Sequence, residues 1–345
     1  MKNLIIDIHA HYLPKLLIER FDAHAADFPG VGLTKNDKGV ILKFPGAEPT
    51  RPISPKLSDL AERKSWMQQN GIDHQLVGGW LDSFGYELPA AEGLAWSRYI
   101  NECMWQGLAD EPRFTPLATV PLQDGKLAAE VLEEAMERGF GGIMIGTLPK
   151  GQGGNLDDAA LDPFWEKASE LKAAVVLHPM FICGEPRLAD YDLVNAIGRL
   201  ADTSIAVSRL LFSGHILKYS GMKLVLCHGG AALPLALGRL IRNHGIAHGK
   251  YSDPRKNFEA MFFDSCVFDP DALDFLVKTT GNGRVMMGSD SPFPIGDPAP
   301  QKVVMECSLD QAERIAILTE TAQKVFTLRH DVCCQPIAGA AAGKA

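Results

Sequence analysis

The first apolar run of the chain, Leu4-Ile5-Ile6-Asp7-Ile8-His9-Ala10-His11, closes on two histidines one residue apart. On an extended segment, side chains at i and i+2 leave the same face. His9 and His11 therefore point one way, together with Asp7, while Ile8 and Ala10 point the other. Two imidazoles on one face can converge on one metal ion. An isolated His-x-His is as easily a pair of ordinary polar residues at a strand end, so the reading turns on what ends the other strands. Ala173–Leu177 is apolar and ends in His178-Pro179. Leu224–Cys227 ends in His228-Gly229-Gly230, and Arg284–Ser289 ends in Asp290. Titratable groups at the ends of apolar strands are costly to bury unless they are used or paired. Five at equivalent places point to a metal site. Three histidines and one carboxylate suit a zinc-like ion with one position open to water or substrate. Such an ion lowers the pKa of bound water towards about 7. His228 is then the spare group, either a fifth ligand or an acid/base beside the ion, and the second role is preferred. Asp290 can serve as ligand and proton acceptor together. His24, His74, His215, His244, His248 and His330 end no strand and read as surface residues.

These residues need a scaffold that brings strand ends together. Strands are predicted to start near Leu4, Gln75, Phe114, Gly142, Ala173, Leu224, Met261 and Arg284, with Asp264 near the end of the seventh. Helices are predicted between them, over Ser58–Asn70, Glu92–Asp110, Lys126–Arg138, Pro163–Lys172, Leu193–Phe212, Leu233–Asn243 and Asp271–Thr279. Two more follow, near Gln301–Glu306 and over Leu309–Leu328. Eight strand–helix units in one chain predict an α/β fold, a (β/α)8 TIM barrel, whose active site lies at the C-terminal ends of the strands. An open doubly wound sheet is the competitor, but no Gly-x-Gly-x-x-Gly follows the first strand. Residues 12–57 are rich in Pro and Gly, with a β-like piece at Gly39–Phe44, and read as a loop-rich insertion that covers the site. Arg51 stands in this insertion within Thr50-Arg51-Pro52-Ile53 and, taken alone, is a solvated loop arginine. The expected organisation is one domain over residues 1–330 with a disordered Ala/Gly-rich tail over 331–345.

Composition narrows the partners. The 345 residues carry 34 Lys and Arg against 42 Asp and Glu, a net charge of −8 with no basic cluster, which argues against a nucleic-acid surface. An anionic substrate therefore needs specific local cations. Seven scattered cysteines form no Cys-x-x-Cys pair, which argues against a disulfide framework and fits a reducing cytoplasm. The chain enters a strand at once, so no signal peptide is expected. No apolar stretch approaches the roughly 18 residues of a membrane span.

The order His-x-His, His, His, Asp resembles the amidohydrolase superfamily. Two-metal members carry a carboxylated lysine at the end of strand four. Here that strand reads Gly141-Gly142-Ile143-Met144-Ile145-Gly146-Thr147, and Lys150 comes too late, so one metal is expected. The chain is most similar to the decarboxylase branch, and within it to the 2-amino-3-carboxymuconate 6-semialdehyde decarboxylase family. The resemblance runs from Ile6 to about Phe326. It is carried by Asp7–His11, Arg51-Pro52, Phe84-Gly85-Tyr86, Val120–Asp124, Leu177-His178-Pro179, His228-Gly229-Gly230, Leu237-Gly238-Arg239, Phe263-Asp264-Ser265 and, most specifically, Arg284–Pro294. It implies an ion held by His9, His11, His178 and Asp290, with His228 acting on the metal-bound water. It implies that Arg51 binds a substrate carboxylate, that Phe293 and Phe84 line the pocket, and that Arg239 reaches into the neighbouring subunit's site in a homodimer. Two segments depart from the family. Met180-Phe181-Ile182-Cys183 follows the strand-five His-Pro where the family has tryptophan, and Lys43 lies further from Arg51.

The resulting expectation is a metal-dependent, non-oxidative decarboxylase of an unsaturated or aromatic carboxylic acid in aromatic catabolism. It would use one divalent ion, zinc by ligand type with manganese as the alternative, and no organic cofactor. Decarboxylation of an ortho-hydroxybenzoate of the γ-resorcylate or 5-carboxyvanillate type, and hydrolysis or hydration at a single metal, are the competing readings.

Overall fold

The computed structural model describes residues 4–149, 154–180 and 183–329. Lys150, Phe181, Ile182, His330 and the predicted tail lie outside them. Eight parallel strands carry the fold: β1 (Ile6–His11), β4 (His74–Gly78), β5 (Phe114–Pro116), β6 (Ile143–Gly146), β7 (Ala174–His178), β8 (Lys223–Leu226), β9 (Phe262–Asp264) and β10 (Val285–Met286). An antiparallel hairpin, β2 (Gly32–Asn36) and β3 (Gly39–Lys43), lies outside the barrel. Regular ladders join β1-β4-β5 and β6-β7-β8-β9-β10. Two parallel bridges, Ala118 with Ile143 and Ala10 with Ser291, close the ring. Main-chain bonds reinforce the second seam, from Ile8 N to Met287 O at 2.9 Å and from Asp290 N to His9 O at 2.8 Å. Closure leaves the barrel itself no open edge among the described residues and sets β1 beside the segment that follows β10. The barrel strands are short, apolar and almost wholly buried, as strands covered on both faces must be.

The helices follow their sequence signals closely. Asp59, Asp124, Asp253 and Asp269 each accept backbone N–H bonds as N-caps, opening helices Leu60–Gln69, Gly125–Arg138, Pro254–Glu259 and Pro270–Thr280. Gly139 ends its helix in the left-handed conformation, at φ 99°. The strand predicted over Phe114–Leu122 is regular only to Pro116. Proline offers no donor, and the chain then turns so that Ala118 can pair with Ile143. The single helix predicted over Leu309–Leu328 is broken by a π-turn at Ala316–Glu320 and stops at Val325. Met287 N donates to Ile317 O at 3.0 Å, so that carbonyl serves the barrel rather than the helix. The helix predicted over Leu193–Phe212 likewise begins with a π-turn, Val194–Gly198, before continuing as Arg199–Ser213.

The 12–57 segment is more ordered than expected. It holds the hairpin and two short helices, Lys15–Glu19 and Phe21–His24. Phe21, Phe28, Val31, Leu42 and Phe44 pack against Trp96, Tyr99 and Ile100 of helix Ala90–Gly107 in a core of their own. That packing holds Arg51 over the barrel mouth.

Candidate active site

His9, His11, His178 and Asp290 meet at the mouth of the barrel, all buried, with one donor atom from each within 4.8 Å of the others. The order in which the sequence spends its hydrogen bonds explains the arrangement. His9 Nδ1 donates to Asp264 Oδ2 at 2.6 Å, His11 Nδ1 to Gly79 O at 3.0 Å and His178 Nδ1 to Pro179 O at 2.9 Å. With each Nδ1 committed, every ring presents its Nε2 lone pair inwards. These atoms lie 3.4, 3.1 and 3.9 Å from the same oxygen, Asp290 Oδ1. His9 Nε2 and His178 Nε2 are buried and make no hydrogen bond. Four acceptors facing one another repel unless a cation stands between them, so the residues present fit a divalent ion. Two other carboxylates hold the frame. Asp264 Oδ1 accepts from Gly229 N at 2.7 Å and Cys266 N at 3.1 Å. Asp7 accepts from Ser289 Oγ at 2.6 Å, Gln75 Nε2 at 2.8 Å and His9 N at 3.1 Å, so it braces β1 instead of facing the ligands.

The electrostatics agree with this division. Burial favours a protonated Asp290, but the surrounding imidazoles, His9 first, hold its pKa well below the carboxylate range. Burial opposes a charge on His9, yet Asp290 and Asp264 raise its pKa well above the ordinary imidazole value, so His9 carries the positive charge here wherever no cation stands among the ligands. Burial pushes His178 well below, and His11 below, the ordinary imidazole value. Both rings are therefore neutral, as ligands must be. His228 stands beside this cluster, with Nε2 3.5 Å from Asp290 Oδ2 and a side chain 11% exposed. Both His228 and Asp290 have left-handed backbone, at φ 56° and 59°, which turns each side chain over the barrel mouth.

A cavity of about 970 Å³ opens above Asp290, lined by Arg51, Asp82, Met180, Arg199 and Phe293 among others. Arg51 Nη2 lies 3.2 Å from Asp82 Oδ2, and the Phe293 ring is centred 4.9 Å from that of His11. Phe84 does not line the cavity. It is 1% exposed and fills the space that a Cβ on Gly79, next to the carbonyl that holds His11, would take. Arg239 lies exposed on helix Leu233–Ile246, away from this chain's own cavity. His74 and His215, expected at the surface, are buried. His74 opens β4 and its Nε2 lies 2.7 Å from Thr115 Oγ1; His215 Nδ1 lies 2.7 Å from Ser213 Oγ. Two residues of the site were given no role from the sequence. Asp264 was visible as a strand-end carboxylate, but its partner His9 is 255 residues away. Arg199 heads the buried stripe of its helix, but nothing in the sequence places that end of the stripe at the cavity. A second cavity, about 630 Å³, lies against helix Ala90–Gly107, where Arg98 pairs with Glu130 and Glu134 and Arg138 with Glu102.

The closed barrel and its strand-end histidine–carboxylate cluster define a metal-centre barrel of the amidohydrolase type. The amidohydrolase family model matches residues 6–328, and the chain belongs to that family. Among its relatives is the 2-amino-3-carboxymuconate-6-semialdehyde decarboxylase of Dictyostelium discoideum, 29% identical over 88% of this chain and 86% of that one. The fold is similar to that of the 5-carboxyvanillate decarboxylase of Sphingomonas paucimobilis, with TM-score 0.78, 22% identity and coverage of 95% of this chain and 100% of the other. It is also similar to the 5-carboxyvanillate decarboxylase of Novosphingobium aromaticivorans with bound manganese, with TM-score 0.75, 20% identity and coverage of 94% and 97%.

Proposed function

We propose that the protein is a metal-dependent carboxy-lyase that removes CO2, without oxidation, from an unsaturated or aromatic acid of the 2-amino-3-carboxymuconate semialdehyde type. The observation that carries this reading is the set of three inward Nε2 atoms converging on Asp290 at the floor of a cavity whose wall carries Arg51. The relatives' names favour decarboxylation over hydrolysis. His9, His11, His178 and Asp290 would hold a divalent ion, which would supply positive charge to orient the substrate and stabilise its electron-rich carbon framework. Zinc suits the ligand set, and manganese is bound in one similar structure. Arg51 pairs with a substrate carboxylate, and Phe293 packs against the π system. His228, next to Asp290 Oδ2, holds the proton delivered to the carbon that bears the leaving carboxylate. Protonation there lets the C–C bond break, with its electron pair returning to the π system as CO2 departs.

The active form is a homodimer in which Arg239 enters the neighbouring site. Leu235, 81% exposed, lies one turn before Arg239 on the same helix face, and Ile205 is 59% exposed on helix Arg199–Ser213. Buried thiols at Cys103, Cys227, Cys266 and Cys307 suit the cytoplasm. Among the described residues no helix is long and apolar enough to cross a membrane.

The test is CO2 release and ultraviolet absorbance with metal-loaded protein, using 2-amino-3-carboxymuconate semialdehyde, γ-resorcylate and 5-carboxyvanillate. Turnover of one compound with loss of CO2 is expected, and His228→Ala should abolish it with metal content retained. Product that keeps its carbon and gains water would replace this reading with hydration. Loss of the metal in His228→Ala would make His228 a ligand.

A further inference from the structure

The helix that follows β7 carries a cation where its core-facing stripe should be apolar. On Arg199–Ser213 the buried residues are Asp202, Thr203, Ala206, Val207, Leu210 and Leu211. Arg199 lies three and four residues before the first two, so it heads the same stripe. The preceding π-turn, Val194–Gly198, leads directly into this helix, with Gly198 buried and Arg199 half-buried at the cavity wall. π-turns of this kind cluster at functional sites. The result is a half-buried guanidinium in the wall of the cavity that also holds Arg51, Phe293 and Asp290.

A structural role as counter-ion of Asp202, whose charge also acts on Arg199, is the alternative that the test below separates. Asp202 Oδ2 already accepts from Thr147 Oγ1 at 2.5 Å and Met180 N at 2.6 Å, tying the end of β6 to the segment after β7. Arg199 also feels the charges of Asp290, Asp82 and Arg51, all of which line the cavity. Burial lowers its pKa, a cost that a solvated arginine would not bear. Arg51 comes from the insertion and Arg199 from the helix after β7, so the two cations belong to different walls. The charge of Arg51 opposes that of Arg199, and two anionic groups between them relieve that repulsion more fully than one.

We propose that Arg199 is a specificity-determining residue that binds a second anionic group on the substrate, so that the site selects unsaturated or aromatic dicarboxylates over monocarboxylates. This rests on the cavity being the decarboxylase site proposed above, but its test does not need turnover. Calorimetric titration of the metal-loaded full chain with benzene-1,3-dicarboxylate and with benzoate reads the preference directly. Wild-type protein should prefer the dicarboxylate by about tenfold or more, the scale of one charge-assisted pair. Arg199→Gln should bring the two affinities to within about threefold by weakening the dicarboxylate alone, and Arg199→Lys should keep part of the preference. Metal content and thermal midpoint, measured on the same samples, separate this from a folding defect. No preference in the wild type, an unchanged preference in Arg199→Gln, or equal weakening of both ligands would overturn the proposal. An intact, Arg199-dependent preference without CO2 release from any compound would instead overturn the decarboxylase reading and leave this one standing.

Discussion

Histidine appears in this chain in two electrostatic settings, and they call for different tests. At the barrel mouth His9, His11 and His178 are each paired through Nδ1 and turned towards Asp290. His74, on the first residue of β4, is buried with Nδ1 unbonded and Nε2 against the Thr115 hydroxyl. Burial, then repulsion from Arg113 and Arg329, pushes its pKa down from the ordinary 6.5 to about 3. Between these values the unfolded chain binds a proton that the folded chain refuses. Stability from this residue is therefore complete above pH 6.5 and falls as the pH drops, by about 1.4 kcal/mol per unit. His74→Gln keeps a polar partner for Thr115 and removes the titration. Urea unfolding at pH 6.5 and 4.5 should show the wild type losing about 2–3 kcal/mol more than the variant over that interval. The carboxylates titrate in both proteins and cancel in the difference. Equal losses would mean that the folded chain accommodates a charged His74.

At the scale of elements, the site depends on how closely the strand ends approach. Gly288 follows β10 by two residues, and a Cβ there would lie 2.9 Å from His9 Cβ and 3.0 Å from Asp264 Cβ. Neither atom can swing away, because each is fixed to its own backbone. Gly288→Ala should force β1 and β9 apart by a few tenths of an ångström, lengthening the His9–Asp264 bond that orients a ligand. We expect a stability loss of about 1–3 kcal/mol and metal affinity reduced about tenfold or more. Thermal unfolding and chelator competition measure the two, and unchanged metal affinity would show that Asp264 does not set the His9 direction. The strand ends were legible because short apolar runs stop at titratable residues, as at Leu177-His178 and Cys227-His228. The hairpin strand Gly32–Asn36 was not legible, since it is largely exposed and carries no apolar alternation. Arg199 was illegible for a different reason. It heads the buried stripe of its helix at ordinary helical spacing, but that this end of the stripe meets the cavity is set by tertiary packing. His74 was misread because its position alone hid the tight packing of β4 between β1 and β5.

At the scale of the whole molecule, this chain's own cavity holds Arg51 but not Arg239. If Arg239 serves the neighbouring site, each site of a dimer draws Arg51 from one subunit and Arg239 from the other. Two inactive variants can then repair each other. Arg51→Ala subunits still offer Arg239, and Arg239→Ala subunits still offer Arg51. In a mixed dimer the site built on the Arg239→Ala subunit has both arginines, while the second site has neither. Random re-association of equal amounts makes half the dimers mixed, each with one good site, so activity should recover to about a quarter of wild type. A site complete within one chain predicts no recovery, because neither variant can donate what the other lacks. Sedimentation velocity on the same mixture tests whether subunits exchange. Leu235→Glu adds the complementary check, because a charge on this exposed apolar face one turn from Arg239 should disfavour association. Activity in that variant should fall on dilution in step with loss of the dimer, with the metal still bound by His9, His11, His178 and Asp290, all contributed by one chain.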